Sequence, residues 1–340
     1  MKRGYSTFVG IDLGGARGKT TAIAILHTRG ENHQPVVEQV SARCVQSEST
    51  VPWTDPYLIE LIGDLNRSGK KVCVAIDAPL TAPACVRCTR ARCPGQSLCE
   101  DSASLWLEST GRALVNAEIN SELSVSLESE GIARSKPLLE FHETNRTLPL
   151  FSYVHRCTEI ELHYRRGLYP KQSIGQGTNS VANRGQHLRK RLATLGFELN
   201  RNLIEVSPRA TVHALLGEQL ARGYKRDADP WSTRAAILEG LSEPFAEPKP
   251  FAEPKPFAEP KPFAEESKRL STGALQTRSQ TSLRFSAKSR FSREQCLAND
   301  HCFEALLSAY TAYLYARDGW QIPDGAPWND DGWIWAPQPQ

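Results

Sequence analysis

With 340 residues, 41 Lys plus Arg against 38 Asp plus Glu and a formal charge of +3, the chain is long enough for one large core or two modest ones, and its charge singles out no class of partner. A mean hydropathy of −0.43, the lack of an apolar leader and the lack of any run near the roughly 18 apolar residues of a membrane span point to a cytoplasmic protein without a membrane partner. In that setting, nine cysteines read as metal ligands or buried apolar residues rather than disulfides.

In chain order, residues 5–12 read as a strand ending at Asp12, and Gly14 to Gly18 as a flexible turn. Thr20 to Leu26 and Pro35 to Val45 complete a predicted antiparallel meander. A helix follows, with Asp55 as N-cap, Pro56 at the first helical position and Gly69 past the end, along the apolar stripe Leu58, Leu61, Ile62 and Leu65. Lys71 to Asp77 is a continuous apolar run of the kind found in buried parallel strands. Helical segments are expected around 102–118, 155–166 and 183–195. A short strand, Leu203 to Val206, then leads to a helix from Ala210 to Leu220.

Residues 243–264 are low complexity: Glu-Pro-Phe-Ala, then three copies of Glu-Pro-Lys-Pro-Phe-Ala. Proline at this density forbids helix interiors and central strands, so an extended linker is expected. Ser267 to Arg293 holds seven Lys or Arg and no acid, and reads as a disordered basic arm or a surface insertion without a role. Order is expected to resume near Cys296, with the helical stripe Phe303, Leu306, Leu307, Tyr310 and Leu314, and the aromatic tail around Trp333 to Trp335 is expected to pack back on the core. The expected organisation is one α/β domain over 1–242 and 296–340, with a cysteine-rich insertion at 79–101 and a Pro-rich and basic insertion at 243–295.

Asp12 and Asp77 each end an apolar run, where an ionised carboxylate costs free energy unless it is paired or bound to a cation. Glu205 sits inside a third apolar strand, and Asp300 and Glu304 share one face of the last long helix. Such acids suit hard cations like Mg²⁺ or Mn²⁺, and a two-metal site about 4 Å across can stabilise both the attacking and the leaving oxygen of a phosphodiester. Each acid also has a plainer reading. Asp12 fits a turn, Asp77 a cap, Glu205 a partner for a buried Arg such as Arg209, Asp300 an N-cap, and Glu304 a solvated helix position.

The segments Phe8-Val9-Gly10-Ile11-Asp12, Ala75-Ile76-Asp77-Ala78-Pro79, Ile204-Glu205-Val206-Ser207-Pro208 and Glu304 to Tyr310, followed by Gly332-Trp333-Ile334, resemble a family of predicted RNase H-like nucleases termed domain of unknown function 429. The resemblance spans most of 5–336 outside the insertion. It implies an RNase H-like fold, a five-stranded mixed sheet flanked by helices. It also implies a nucleic-acid substrate and metal-ligating acids at Asp12, Asp77 and Glu304; Glu205 is read beside them as assisting catalysis. The family usually carries Asp where this chain has Glu304. Arg156-Cys157-Thr158-Glu159 also resembles a family motif, which would set Arg156 against a substrate phosphate and Glu159 near the site; a surface ion pair is the alternative.

Cys85, Cys88, Cys93 and Cys99 follow the spacing C-x2-C-x4-C-x5-C, which suits a closed four-thiolate site for Zn²⁺ or an iron–sulfur cluster at the rim of the acidic site. Cys44, Cys73, Cys157, Cys296 and Cys302 read as buried small residues. Gly18-Lys19-Thr20 resembles the end of a phosphate loop, but Leu13 stands where that loop needs glycine. An ATP-dependent phosphotransferase or ATPase, with Gly14, Gly15 and Lys19 near a phosphate, remains the runner-up. A non-catalytic nucleic-acid-binding protein is the third reading. Arg165-Arg166, Arg184 and Arg189-Lys190-Arg191 form basic patches, either solvated faces or nucleic-acid contacts.

Overall fold

A computed structural model describes residues 1–15, 20–43, 53–117, 150–170, 173–174, 179–242, 283–286, 290–325 and 327–338. The predicted linker at 243–264, the turn residues 16–19 and Cys44 lie outside the described residues.

The meander forms as expected. β1 (Thr7–Asp12), β2 (Thr21–Arg29) and β3 (Gln34–Arg43) pair antiparallel in sequence. Helix α1 (Asp55–Arg67) begins at the residue predicted as its cap: Thr54 holds the cap position and Asp55 lies in the first turn. It returns the chain to β4 (Val72–Asp77), parallel to β1 on the side away from β2. A short helix α2 (Cys157–Ile160), continued by a π-helical turn through Arg165, precedes α3 (Asn179–Ala193) and β5 (Leu203–Val206), which pairs parallel with β4.

The helix expected over 210–220 is two helices. α4 (Pro208–Leu216) stops at Gly217, whose φ of +91° suits a residue without a Cβ, and α5 (Glu218–Arg226) starts beyond it. α6 (Pro230–Ser242) follows. Two elements fall inside the stretch expected to be an insertion. The two-residue strand β6 (Arg284–Phe285) pairs parallel with β3, and α7 begins at Arg290 and runs to Ala298. Leu283 is buried beside them, so the core reaches further back than Cys296. The long helix α8 (Asp300–Asp318) and the edge strand β7 (Ile334–Trp335), parallel to β5, complete the fold. Trp333, Ile334 and Trp335 are buried, so the aromatic tail does pack on the core.

The result is an α/β fold: a mixed seven-stranded sheet in the order β6-β3-β2-β1-β4-β5-β7, flanked by helices. Helices on both faces explain why β1 and β4 are largely apolar up to their closing acids. Val9, Ile11, Val74 and Ile76 pack toward Leu58 and Ile62 of α1 and Leu188 and Leu192 of α3. Phe8, Cys73 and Ala75 face the opposite way, into the core built on α8. Among the described residues, no helix is long and apolar enough to cross a membrane.

One contact positions the site. α8 crosses β1 at Gly10, where an added Cβ would lie 2.1 Å from the Ala305 carbonyl oxygen and 2.2 Å from the Ala309 nitrogen. Only glycine permits this approach. Small residues at 305 and 309 match it from the helix side, and the first turns of α8 are thereby held against the end of β1.

Candidate metal centre

Asp12 and Asp77 are direct register partners at the carboxyl ends of adjacent parallel strands. Side chains alternate along a strand, so both share the face of Phe8, Cys73 and Ala75, beneath α8. Both are buried, at 4 % and 2 % exposure. They close apolar strands because the sheet delivers them to one place, which a turn or cap reading of each residue alone does not require.

α8 supplies the other members. Its N-cap is Asn299, whose side chain accepts from the His301 and Cys302 amides; Asp300, read as a cap candidate from sequence, lies one position inside. The next turns present His301 and Glu304, three apart and therefore on one face. His301 Nδ1 lies 2.5 Å from Asp12 Oδ2. Asp12, His301 and Glu304 each offer a ligand atom within 4.8 Å of the others. Sequence reasoning missed His301. The available signal was its place three residues before Glu304 on the same helix.

Glu304 is not a solvated helix residue; it is 3 % exposed. Tyr224 Oη donates to its Oε1 at 2.8 Å, and Lys225 Nζ donates to its Oε2 at 2.6 Å. Lys225 also stands 4.0 Å from Asp300. Burial, reinforced by the Glu304 carboxylate, raises the Tyr224 hydroxyl well above its ordinary value, so it stays a donor. The hydrogen bond to Asp12 raises the His301 pKa, against the opposing effect of burial.

Beside this group opens a cavity of about 680 Å³, lined by both Asp77 and Glu304 and walled by Arg209, Lys225 and Arg226. Carboxylate oxygens with one imidazole form a hard, oxygen-rich donor set that fits Mg²⁺, Mn²⁺ or Zn²⁺. Lys225 already neutralises Glu304, so a cation bound there would have to displace this ammonium.

Glu205 is placed elsewhere. It registers with Ile76, one residue before Asp77, so its side chain points to the other face of the sheet. There both of its oxygens accept from Arg156, Nη2 to Oε1 at 2.7 Å and Nη1 to Oε2 at 2.8 Å, and the Leu80 amide donates to Oε2 at 2.8 Å. The buried-Arg alternative read from sequence therefore describes Glu205, but the partner is Arg156, not Arg209. Arg156 is fully buried and also donates through Nε to Glu159 at 2.9 Å, so it does not face a substrate phosphate, and its pair with Glu159 is not on the surface. Glu159 further accepts from the Ser173 amide at 2.6 Å.

The four clustered cysteines are not gathered into a ligand set. Cys85, Cys88 and Cys93 are exposed and Cys99 half-buried; among the described residues, the one converging group of three or more ligands is Asp12, His301 and Glu304. Cys85 Sγ contacts Ser152 Oγ at 3.2 Å, and the Arg90 amide donates to Cys88 Sγ at 3.5 Å. Cys73, Cys157, Cys296 and Cys302 are buried, as read. Arg184 from the basic patches is a structural tie, donating to Asp55, Gly14, Thr21 and Trp53, and Arg189 donates to the Leu80 carbonyl.

In comparisons with known proteins, no family model, no curated protein and no solved structure matches the chain.

Proposed function

We propose that this chain is a metal-dependent nuclease on an RNase H-like core, hydrolysing phosphodiester bonds of nucleic acid. The observation that carries the reading is the register pairing of Asp12 with Asp77, capped by His301 and Glu304 from a helix that Gly10 admits against the sheet. The central five strands, β3-β2-β1-β4-β5, form a mixed sheet with acids on the first strand, the fourth strand and the last long helix, which is the pattern the sequence resemblance implies.

Asp12, Asp77 and Glu304 would hold Mg²⁺ or Mn²⁺, which would supply Lewis-acid polarisation and charge neutralisation at the phosphodiester. The remaining work belongs to side chains. His301 fixes the Asp12 carboxylate through Nδ1. Tyr224 orients Glu304 through a hydroxyl that burial keeps protonated. Lys225 and Arg209 set positive charge along the wall where a phosphate anion would approach two carboxylates. The buried strand ends limit water access to the carboxylates, which strengthens each of these contacts.

The test is cleavage of single-stranded, duplex, hybrid and branched substrates by the purified protein with Mg²⁺ or Mn²⁺, beside Asp12→Asn. Cleavage that needs metal and disappears in the variant is expected. Equal cleavage by a pure Asp12→Asn preparation refutes the site, and nucleotide hydrolysis without strand cleavage favours the phosphotransferase reading.

A further inference from the structure

Resting on the nuclease reading, we propose that the cavity beside Asp77 and Glu304 accepts single-stranded nucleic acid and excludes the duplex, with Arg209 and Arg226 as its phosphate contacts. Asp77 and Glu304 are 2 % and 3 % exposed, and they are reached through a recess of about 680 Å³. That volume falls in the range of small-ligand pockets, about 300 to 1,000 Å³, and holds one or two nucleotides. A duplex keeps its two backbones apart around a stack of paired bases, so it cannot bring a phosphodiester to the floor of such a recess without opening. A single strand can.

The charge on the wall fits a strand better than a lone phosphate. Arg222, Lys225 and Arg226 lie at i, i+3 and i+4 of α5 and so share one helix face, which lines the cavity. Arg222 pairs with Glu218, and Lys225 with Glu304. Among the described residues, Arg209 and Arg226 have no carboxylate partner, although both line a cavity whose floor is acidic. They come from different helices, α4 and α5, and so offer two separate anion contacts, as successive phosphates require. The Arg209 guanidinium is held 5.6 Å above the ring of Tyr169, another cavity residue, and Tyr169 lies parallel to His213 at 6.3 Å. Of these planar groups, Tyr169 and the Arg209 guanidinium lie on the cavity wall, the kind of surface on which unstacked bases rest, and an intact duplex has none to offer.

Fluorescence anisotropy tests this without turnover. The full chain, in EDTA, is titrated against a short labelled single strand and against the same strand annealed to its complement, each as DNA and as RNA, over a salt series. The single strand is expected to bind about tenfold tighter or better. Arg209→Gln and Arg226→Gln are each expected to weaken it and to lower the salt slope by about 0.7 to 1. Arg226 is exposed, so its variant stays informative if Arg209→Gln folds poorly. Asp12→Asn is expected to bind at least as tightly as wild type, because it removes negative charge beside the floor. Equal or tighter duplex binding, or salt slopes unchanged in both arginine variants, overturns the proposal. Strand binding as described with no cleavage under any metal would instead remove the nuclease reading and leave the strand site standing.

Discussion

On one face of the sheet, Glu205 and Glu159 share a fully buried Arg156, and its guanidinium donates to both carboxylates and to Thr81 at 2.7 to 2.9 Å. On the other face, Asp12 meets His301, 38 % exposed, Glu304 meets Lys225, 36 % exposed, and Asp77 and Glu304 line an open cavity. Both clusters place acids in apolar strands. The first is saturated and sealed, so its charge serves the fold. The second keeps partners that can exchange for a ligand. An acid in a buried strand is therefore not informative alone; which face it points to, and what already holds it, decides its role.

Cutting the sealed cluster should have the largest effect on stability. Arg156→Met leaves two carboxylates without their partner, and a loss of about 3–5 kcal/mol is expected in urea unfolding. Asp12→Asn should change stability by about 1 kcal/mol or less while removing cleavage. Similar losses of stability in the two variants would erase the distinction drawn here.

Gly10→Ala tests how the open cluster is assembled. The new Cβ would overlap the backbone of α8, and overpacking of this kind costs about 3 kcal/mol or more, because backbone cannot swing aside as a side chain can. Cleavage should fall even in the fraction that remains folded, since α8 carries His301 and Glu304. A stable, fully active variant would show that the close crossing does not position the site.

The sealed cluster should also carry a pH signature through a neighbour of Arg156. Asp331 is fully buried and accepts from the Cys157 amide at 2.6 Å. Burial pushes its pKa from 3.8 up to about 6, with Arg156 opposing. The folded state thus binds this proton more tightly than the unfolded chain. The associated stability is fully present below about pH 4 and is lost as pH rises through 6, on the order of 2–3 kcal/mol. The difference between wild type and Asp331→Asn in unfolding free energy, followed from pH 4 to 7, should show this slope in the wild type only. Parallel curves would contradict it.

The pattern of the sequence made the open cluster partly legible. β1 and β4 are uninterrupted apolar runs that end in Asp12 and Asp77, and Glu304 opens a clear helical stripe. Three features of the two clusters were not legible, each because it depends on pairing across long separations. Glu205 differs from Asp77 by one position of register, which turns its side chain to the opposite face. Its partner Arg156 lies 49 residues away on another element. His301 has no periodicity of its own and gains meaning only when Gly10 lets α8 close on Asp12. The edge strands β6 and β7 are two residues each, too short for an alternating pattern to declare itself.

Lys225→Met is expected to cost about 1 kcal/mol, as little as Asp12→Asn, because Tyr224 still holds Glu304, yet it bears on the central claim. Calorimetric titration of Mn²⁺ into the wild type, Asp12→Asn and Lys225→Met tests that claim most directly. Saturable binding by the wild type is expected, at least about tenfold weaker in Asp12→Asn and tighter in Lys225→Met, where the competing ammonium is gone. Binding of equal strength in wild type and Asp12→Asn, or no binding by a folded wild type, would contradict the assignment of this face as a cation-holding site.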